Sequence, residues 1–336
     1  MSNDSKVTIY DVADEAGVAI STVSRVLNES QEVAEATRKR VLDAIDRLQF
    51  RPQRTARSLA RQNVHALAVA VPSFTSNFYN EMLKGVKDCL DQREIDLLLC
   101  NLGSSDPLPT LMRFLNRGAV DGLLLTMVPV DDELHRELKR LRAPVVLLGN
   151  RSERFDCFYW DNVRAAHMAV EHLITNGHRR IGMIAGHSWS YTADERAEGY
   201  RKALEAHDIP FDPDLIQTGE TEKHAGYSEE AGFEAMQKLF EHASDLTAVF
   251  AAGDVQAFGA WKAIRDAGFA VPDDLALIGC DNIKLSRFLD LSTIDYHLHE
   301  AGMRASRLLL DRMAGSDEER VSELIAPELI IRASTS

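Results

Sequence analysis

The sequence predicts an α/β protein with a helical head: a three-helix unit containing a helix-turn-helix, a short hinge helix, and a two-lobed core of parallel sheets. Three observations carry that expectation. Residues 8–28, TIYDVADEAGVAISTVSRVLN, hold two short helical patterns that meet at Gly17. Residues 51–61, RPQRTARSLAR, hold four arginines and no acid. From residue 64 onward, apolar runs alternate with amphipathic stretches, and that order gives parallel sheets covered on both faces.

In the head, Thr8 is placed to cap the first helix, with Asp11 three residues on as a weaker relative of the capping box. Val12, Ala13 and Ala16 supply its apolar face, and Gly17 tolerates the positive φ of a tight helix exit. Val18, Val23 and Val26 turn the second helix inward, leaving Ile20, Ser21, Thr22, Ser24, Arg25 and Asn28 outward. A third helix spans Glu35 to Leu48, with Val41, Ala44, Ile45 and Leu48 at helical spacing. One helix that braces and a second with a polar face make a unit that reads the DNA major groove. A small bundle without a nucleic-acid role has the same apolar spacing.

The hinge decides between them. Pro52 suits a first helical turn, and so short a helix is marginal in water without a partner to hold it. Leu59 is one large aliphatic among arginines, which fits a wedge pushed between base steps in the minor groove.

Beyond the hinge, strands are expected at 66–71, 96–100, 121–126, 145–148, 181–185, 248–252 and 275–279. Helices are expected near 79–92, 108–117, 133–141, 163–176, 194–207, 226–242 and 255–267. Ligands in open α/β sheets sit beyond the carboxyl ends of strands. Those ends present Phe78 and Tyr79, Arg151, Trp160, Thr192 and Arg196, Asp254, and Asp281. Aromatic faces with Arg and Asp suit a small polar ring. Other roles stay open for some: Asp254 as a helix cap, Arg151 as a structural ion pair, Phe78 and Tyr79 as half-buried core.

Net charge is −14, yet residues 1–65 carry 10 Lys+Arg against 9 Asp+Glu, while the remainder carries 28 against 43. The basic charge sits in the hinge, so DNA binding should depend on dimerisation and on salt. Cys89, Cys100, Cys157 and Cys280 lie far apart without metal spacing and read as free thiols. The polar N-terminus resembles no signal peptide and no apolar run is long enough to span a bilayer, so a cytoplasmic bacterial protein, nucleoid-associated when bound to DNA, is expected. An enzyme finds no support: there is no Gly-x-Gly fingerprint and no Gly-x-Ser-x-Gly elbow. His297-Leu298-His299-Glu300 reads as a surface turn before the last helix, and neither metal nor cofactor is expected.

The run from Val7 to Asn63, with VTIYDVADEAGVAISTVSRVLN, ATRKRVLDAIDRLQFRP and ARSLA, resembles the head and hinge of the lactose-repressor/galactose-repressor family of bacterial transcription regulators. The resemblance extends over almost the whole chain. It implies a periplasmic-binding-protein-like core and four segments: a head at 1–50, a hinge at 51–63, a first lobe at 64–162 plus 292–324, and a second lobe at 163–291 plus 325–336. It implies base reading by Ile20, Ser21 and Arg25, backbone contacts by Thr8, Thr22, Ser24 and Asn28, hinge contacts by Arg54 and Arg57, and a Leu59 wedge. In the core it assigns the effector to Arg196 and Asp281, with Phe78 and Tyr79 lining the cleft. The stretch from Gly219 to Gly232 is longer than the family pattern, so no ligand residue is carried from it. Ala19 and Ala34 replace the usual serine caps, a change that typically costs about 0.5–2 kcal/mol. The implied function is a homodimeric, allosteric repressor on a pseudo-palindromic operator in double-stranded DNA, with a sugar-like effector (sugar or sugar phosphate) between the lobes. A nucleoside or purine effector is the alternative. A transporter's solute-binding protein shares the lobes but calls for a secretion signal and no helix-turn-helix. No trailing leucine heptad points to a tetramer.

Overall fold

A computed structural model of the chain describes residues 7–27, 30, 32–48, 50, 66–103, 107–116, 120–141, 143–188 and 190–336. Two units emerge, Met1–His65 and Ala66–Ser336.

The first contains α1 (Ile9–Ala16), α2 (Ile20–Leu27) and α3 (Glu35–Leu48) around Val12, Ala13, Ala16, Val23, Val26, Val41, Ala44 and Phe50. Its turn has a clear cause. Gly17 ends α1 at φ +61°, its N–H reaching the carbonyls of Ala13 and Asp14. Arg40 of α3 donates to the carbonyls of Ala16 (2.6 Å) and Gly17 (3.0 Å), fixing the α1 exit against the third helix. Without a serine at 19, α2 closes through backbone alone: the N–H groups of Thr22 and Val23 donate to the Ala19 carbonyl. Ala34 serves α3 likewise, accepting from Thr37 and Arg38.

The second unit holds two six-stranded sheets. The first lobe is built from β1 (Ala66–Val71), α4 (Asn77–Leu90), β2 (Asp96–Asn101), α5 (Pro107–Leu115), β3 (Gly122–Thr126), α6 (Asp132–Arg140), β4 (Val145–Gly149) and β5 (Asp156–Trp160). The second uses α7 (Asn162–Thr175), β6 (Ile181–Ile184), α8 (Tyr191–Ala206), β7 (Ile216–Gln217), α9 (Glu229–His242), β8 (Ala248–Ala251), α10 (Asp254–Asp266), β9 (Ala276–Asp281), α11 (Lys284–Phe288) and β10 (Ser292–Asp295). The chain then returns: α12 (Leu298–Met313) packs on α4 and β11 (Ser322–Ile325) joins the first sheet, before β12 (Glu328–Ile330) closes the second. Sheet orders are β11-β5-β4-β3-β1-β2 and β12-β10-β9-β8-β6-β7. Every pairing is parallel except β10 with β12. The wholly buried runs of β1, β3, β4 and β8 follow from helices on both faces.

The expected boundaries shift at two places. Ser292–Asp295 belongs to the second sheet, paired with β9, so the chain crosses at Tyr296–His297 and not near 291. Ile325 still pairs with Trp160 in the first sheet, which moves the last crossing from 324 to residues 326–327. Ser292 and Thr293 explain why β10 escaped a hydrophobicity reading: in this buried strand the Ser292 hydroxyl pairs with that of Thr335 and the Thr293 hydroxyl donates to Asp254, while the Ser292 backbone N–H donates to Ser334 Oγ.

Candidate functional site

The head presents α2 outward. Ile20 is 41% exposed, Ser21 and Arg25 are exposed, and Thr22 and Ser24 are half-buried, whereas Val23 and Val26 are buried. At the start of α1, the backbone N–H and hydroxyl of Thr8 both donate to the Asp11 carboxylate at 2.7 Å, holding that carboxyl below its ordinary range. Asn28 and the whole hinge, with Arg54, Arg57 and Leu59, lie outside the described residues.

In the core unit a cavity of about 440 Å³ opens between the lobes. Its walls come from strand ends: Ser73 and Ser76 after β1, Asn101 of β2, Met127 after β3, Val255 after β8, and Asp281 at the end of β9. Phe78 and Tyr79 of α4 line it with their rings edge to face at 5.1 Å, and α8 contributes Thr192 and Arg196.

Arg196 is the best-held group. Only 4% exposed, it donates through Nε to Asn162 Oδ1 (3.3 Å) and through Nη1 to the Ala252 carbonyl. Its guanidinium lies over the rings of Tyr227 (5.5 Å) and Tyr296 (5.4 Å). Asn162 Oδ1 also accepts from Tyr296 Oη at 2.9 Å, tying Arg196 to both of the first two crossings. Asp281 lies 3.9 Å from Arg196 Nη2, and its buried Oδ1 has no hydrogen-bond partner. Burial pushes its carboxyl well up; Arg196 and the Asp254 backbone N–H pull the other way. The residue sits at φ +121° and Asn282 at +51°. Non-glycine residues in such conformations cost about 1–3 kcal/mol each, and they persist where the surroundings over-determine them. Here Asn282 is pinned by Asp295 and Arg332. The result is a fixed donor and a fixed acceptor side by side on the cleft floor, facing aromatic edges.

Three residues expected to line the cleft lie elsewhere. Arg151 is exposed, its guanidinium over Tyr159 at 5.8 Å, because Gly149 ends β4 and releases the chain outward. Trp160 is buried behind the wall, its indole N–H donating to the Tyr296 carbonyl at 2.9 Å. Asp254 is wholly buried and is not the cap of its own helix, which begins after Gly253. It accepts from the Ile283 N–H (3.0 Å), Ser286 Oγ (2.5 Å) and Thr293 Oγ1 (2.6 Å), joining α10, α11 and β10.

Sequence reasoning missed His224 and Tyr227, which line the cavity from the turn before α9. Tyr227 Oη lies 3.1 Å from Thr192 Oγ1 and stacks over Arg196. The turn is held from three sides: Glu234 accepts from the N–H groups of Glu220 and Thr221, His187 N–H donates to Ala225, and Gln256 donates to Gly226. The usable signal was Ser228, which caps α9 by accepting from Ala231. A cap at 228 leaves residue 227 in the preceding cleft-side turn, whereas a helix drawn from 226 absorbs it.

Residues 8–53 match the profile of bacterial regulatory proteins of the lacI family, and residues 170–335 that of a periplasmic binding protein-like domain. The chain is 34% identical over 333 residues to the HTH-type transcriptional repressor PurR of Mannheimia succiniciproducens, covering 97% of this chain and 98% of that protein. The chain belongs to the LacI family. Catabolite control protein A of Priestia megaterium is another relative, 34% identical over 319 residues, 91% of this chain and 92% of that one. The solved structures follow the same line. A transcriptional regulator CelR–cellobiose complex aligns with a TM-score of 0.69 at 31% identity, over 98% of this chain and 99% of that one. The lac repressor dimer bound to operator and the anti-inducer ONPF aligns at 0.76 and 27%, over the same shares. This LacI-family protein is thus a DNA-binding transcription regulator with an effector-binding core. Among the described residues no helix is long and apolar enough to cross a membrane, and the four cysteines are buried and free.

Proposed function

We propose that this protein is a cytoplasmic repressor, without enzymatic activity, that binds a pseudo-palindromic operator as a homodimer and changes its grip when a sugar-like ring enters the cleft. The observation that carries the reading is the pairing of Arg196 with Asp281 on a cavity wall shared with Phe78, Tyr79 and Tyr227. Adjacent hydroxyls of a ring match a neighbouring donor and acceptor, and the aromatic rings cover its apolar faces. A nucleoside or purine is the second reading, favoured by the flat faces of the same three rings. In the head, Arg25 serves as base reader, Ile20 as thymine-methyl contact, and Thr8, Thr22, Ser24 and Asn28 as phosphate contacts. Leu59 of paired hinges, flanked by Arg54 and Arg57, spreads the central minor groove. Thermal-shift screening of the full chain against sugars and nucleosides tests the effector, because bound ligand raises apparent stability.

Selection of bound duplexes from a random pool tests the DNA side. It should return an inverted repeat. Arg25→Ala should relax preference at one base pair per half-site, by about 1–3 kcal/mol of discrimination. Unchanged preference removes Arg25 as a reader.

The dimer reading draws on α11 and the residue that caps it, where Leu285 and Leu289 are exposed beside Phe288 at 70%. Three large apolar groups on one short segment form a patch that a second copy would cover. Phe288→Asp should shift sedimentation toward the monomer and weaken operator binding; an unchanged dimer would place the interface elsewhere.

A further inference from the structure

Resting on the reading of the cleft as the effector site, we infer that Gln256, which lies outside the cavity, positions Tyr227 as a fixed face for the effector ring. Gln256 belongs to the first turn of α10 and is wholly buried. Tyr227 lines the cavity and Gln256 does not. The Gln256 amide donates twice to backbone: Nε2 reaches the carbonyl of Ala185 (3.0 Å), just past β6, and that of Gly226 (2.9 Å). Those partners fix the orientation of the amide, since Oε1 could not face two carbonyl oxygens. Oε1 is buried without a hydrogen-bond partner, so the side chain acts through its donors alone.

The Gly226 carbonyl and the Tyr227 N–H are the two polar ends of one peptide unit. That N–H donates to the His224 carbonyl at 3.2 Å, so both ends are held. The turn needs a holder. His224, Ala225 and Gly226 stand at φ +53°, +60° and +83°, and non-glycine residues in that region persist only where their surroundings over-determine them. Glu234 fastens the entry to the turn at Glu220 and Thr221, and the His187 N–H reaches Ala225. Gln256 is the anchor on Tyr227's own peptide, and it comes from a core helix.

The ring is seated against two glycines. A methyl carbon at Gly186 would lie 2.5 Å from Tyr227 Cε2, and one at Gly253 would lie 3.2 Å from Cδ1. Backbone past β6 and past β8 therefore closes on opposite edges of the ring. The Arg196 guanidinium lies 5.5 Å from its centroid, and Thr192 Oγ1 lies 3.1 Å from its Oη. A ring so confined gives up little rotamer freedom when a ligand stacks on it. That advantage lasts only while the Gly226–Tyr227 peptide keeps the ring in its seat.

Gln256→Met keeps the length of the side chain and removes both donors. Hydrogen exchange of the full-length protein without ligand reads the anchoring directly. The amides of Ala225 and Tyr227 should exchange at least about tenfold faster in the variant, while those of Val249 and Phe250 in β8 keep their protection. Unchanged exchange at Ala225 and Tyr227 overturns the inference. Calorimetric titration with cellobiose and with inosine reads the consequence. For whichever probe binds the wild type, Gln256→Met should weaken binding about tenfold; wild-type affinity overturns the inference. Tyr227→Ala should weaken binding too, and adding Gln256→Met to it should change little more, because the one residue acts through the other. Additive losses mean that Gln256 acts by another route, which overturns the inference and leaves the cleft as effector site. If neither probe binds the wild type, the sugar-or-nucleoside reading fails, and hydrogen exchange alone decides for or against Gln256.

Discussion

Arg196→Ala is expected to abolish the response to effector while operator binding survives. The wild-type guanidinium presents donors in a fixed plane between two tyrosines, so little freedom is lost on binding. Hydrogen bonds to charged groups contribute about 1.5–3 kcal/mol each, and losing a two-pronged contact weakens ligand binding by roughly a hundredfold or more. The loss reaches Asp281. Arg196 holds that carboxyl down against burial, so in the variant its pKa rises further and the acceptor is neutral over a wider pH range. The hinge crossings keep the Tyr296–Asn162 hydrogen bond and the Trp160–Tyr296 contact, which involve no guanidinium. A gel-shift dose curve checks the outcome. In the variant the operator band should persist at every effector concentration, and Arg196→Lys should recover only part of the response. A curve like that of the wild type removes Arg196 from the site. Reciprocity adds a second reading: operator DNA must change effector affinity by the factor that effector changes DNA affinity, and the variant should lose both together.

The sequence made the head legible residue by residue because its signals are local. Gly17 at the turn, Thr8 with Asp11 at a helix start, and Val23 with Val26 on one face each follow from spacing within a few positions. What it did not reveal is Arg40, whose reach to the carbonyls of Ala16 and Gly17 crosses more than twenty residues. The apolar strands of the core were equally plain, since β1, β3, β4 and β8 are buried on both faces. β5, β10, β11 and β12 were not. Their residues mix aromatic, hydroxyl and charged groups, and their pairing depends on segments up to 165 positions away, as with Cys157 and Ser322. The cleft divides in the same way. Arg196, Asp281, Phe78, Tyr79 and Thr192 sit at strand or helix ends where topology alone directs them inward. Tyr227 and His224 arrive through a turn whose left-handed residues leave no compositional mark, while Arg151 follows β4 out to the surface and Trp160 ends β5 buried behind the wall.

Asp254 separates a ligand contact from a structural strut, and its variants should show the difference as stability. Asp254→Ala leaves the Ile283 N–H and the hydroxyls of Ser286 and Thr293 without an acceptor in a fully buried pocket. Each stranded donor costs about 1–3 kcal/mol, so a total near 3–5 kcal/mol is expected once relaxation is allowed. For a unit of this size that lowers the midpoint of thermal unfolding by roughly 10 °C. Asp254→Asn keeps an acceptor and should lose less. The pH dependence has a definite sign. Burial raises the Asp254 pKa above its unfolded value of 3.8 despite the three donors, so the folded state holds the proton longer than the unfolded one. Its contribution to stability is therefore complete below pH 3.8 and is lost as pH rises through the folded-state value. Asp254→Asn has no such proton to lose. Its stability relative to the wild type should improve as pH climbs from 3.8 through that value, and denaturant titrations at several pH values measure it. A gap that instead widens against the asparagine variant with rising pH would mean that the carboxylate, ionised, is the form the fold prefers. Effector affinity is the complementary readout. At a temperature where both variants are folded, Asp254→Asn should bind effector as the wild type does, because Asp254 does not reach the cavity wall, whereas Arg196→Ala should not.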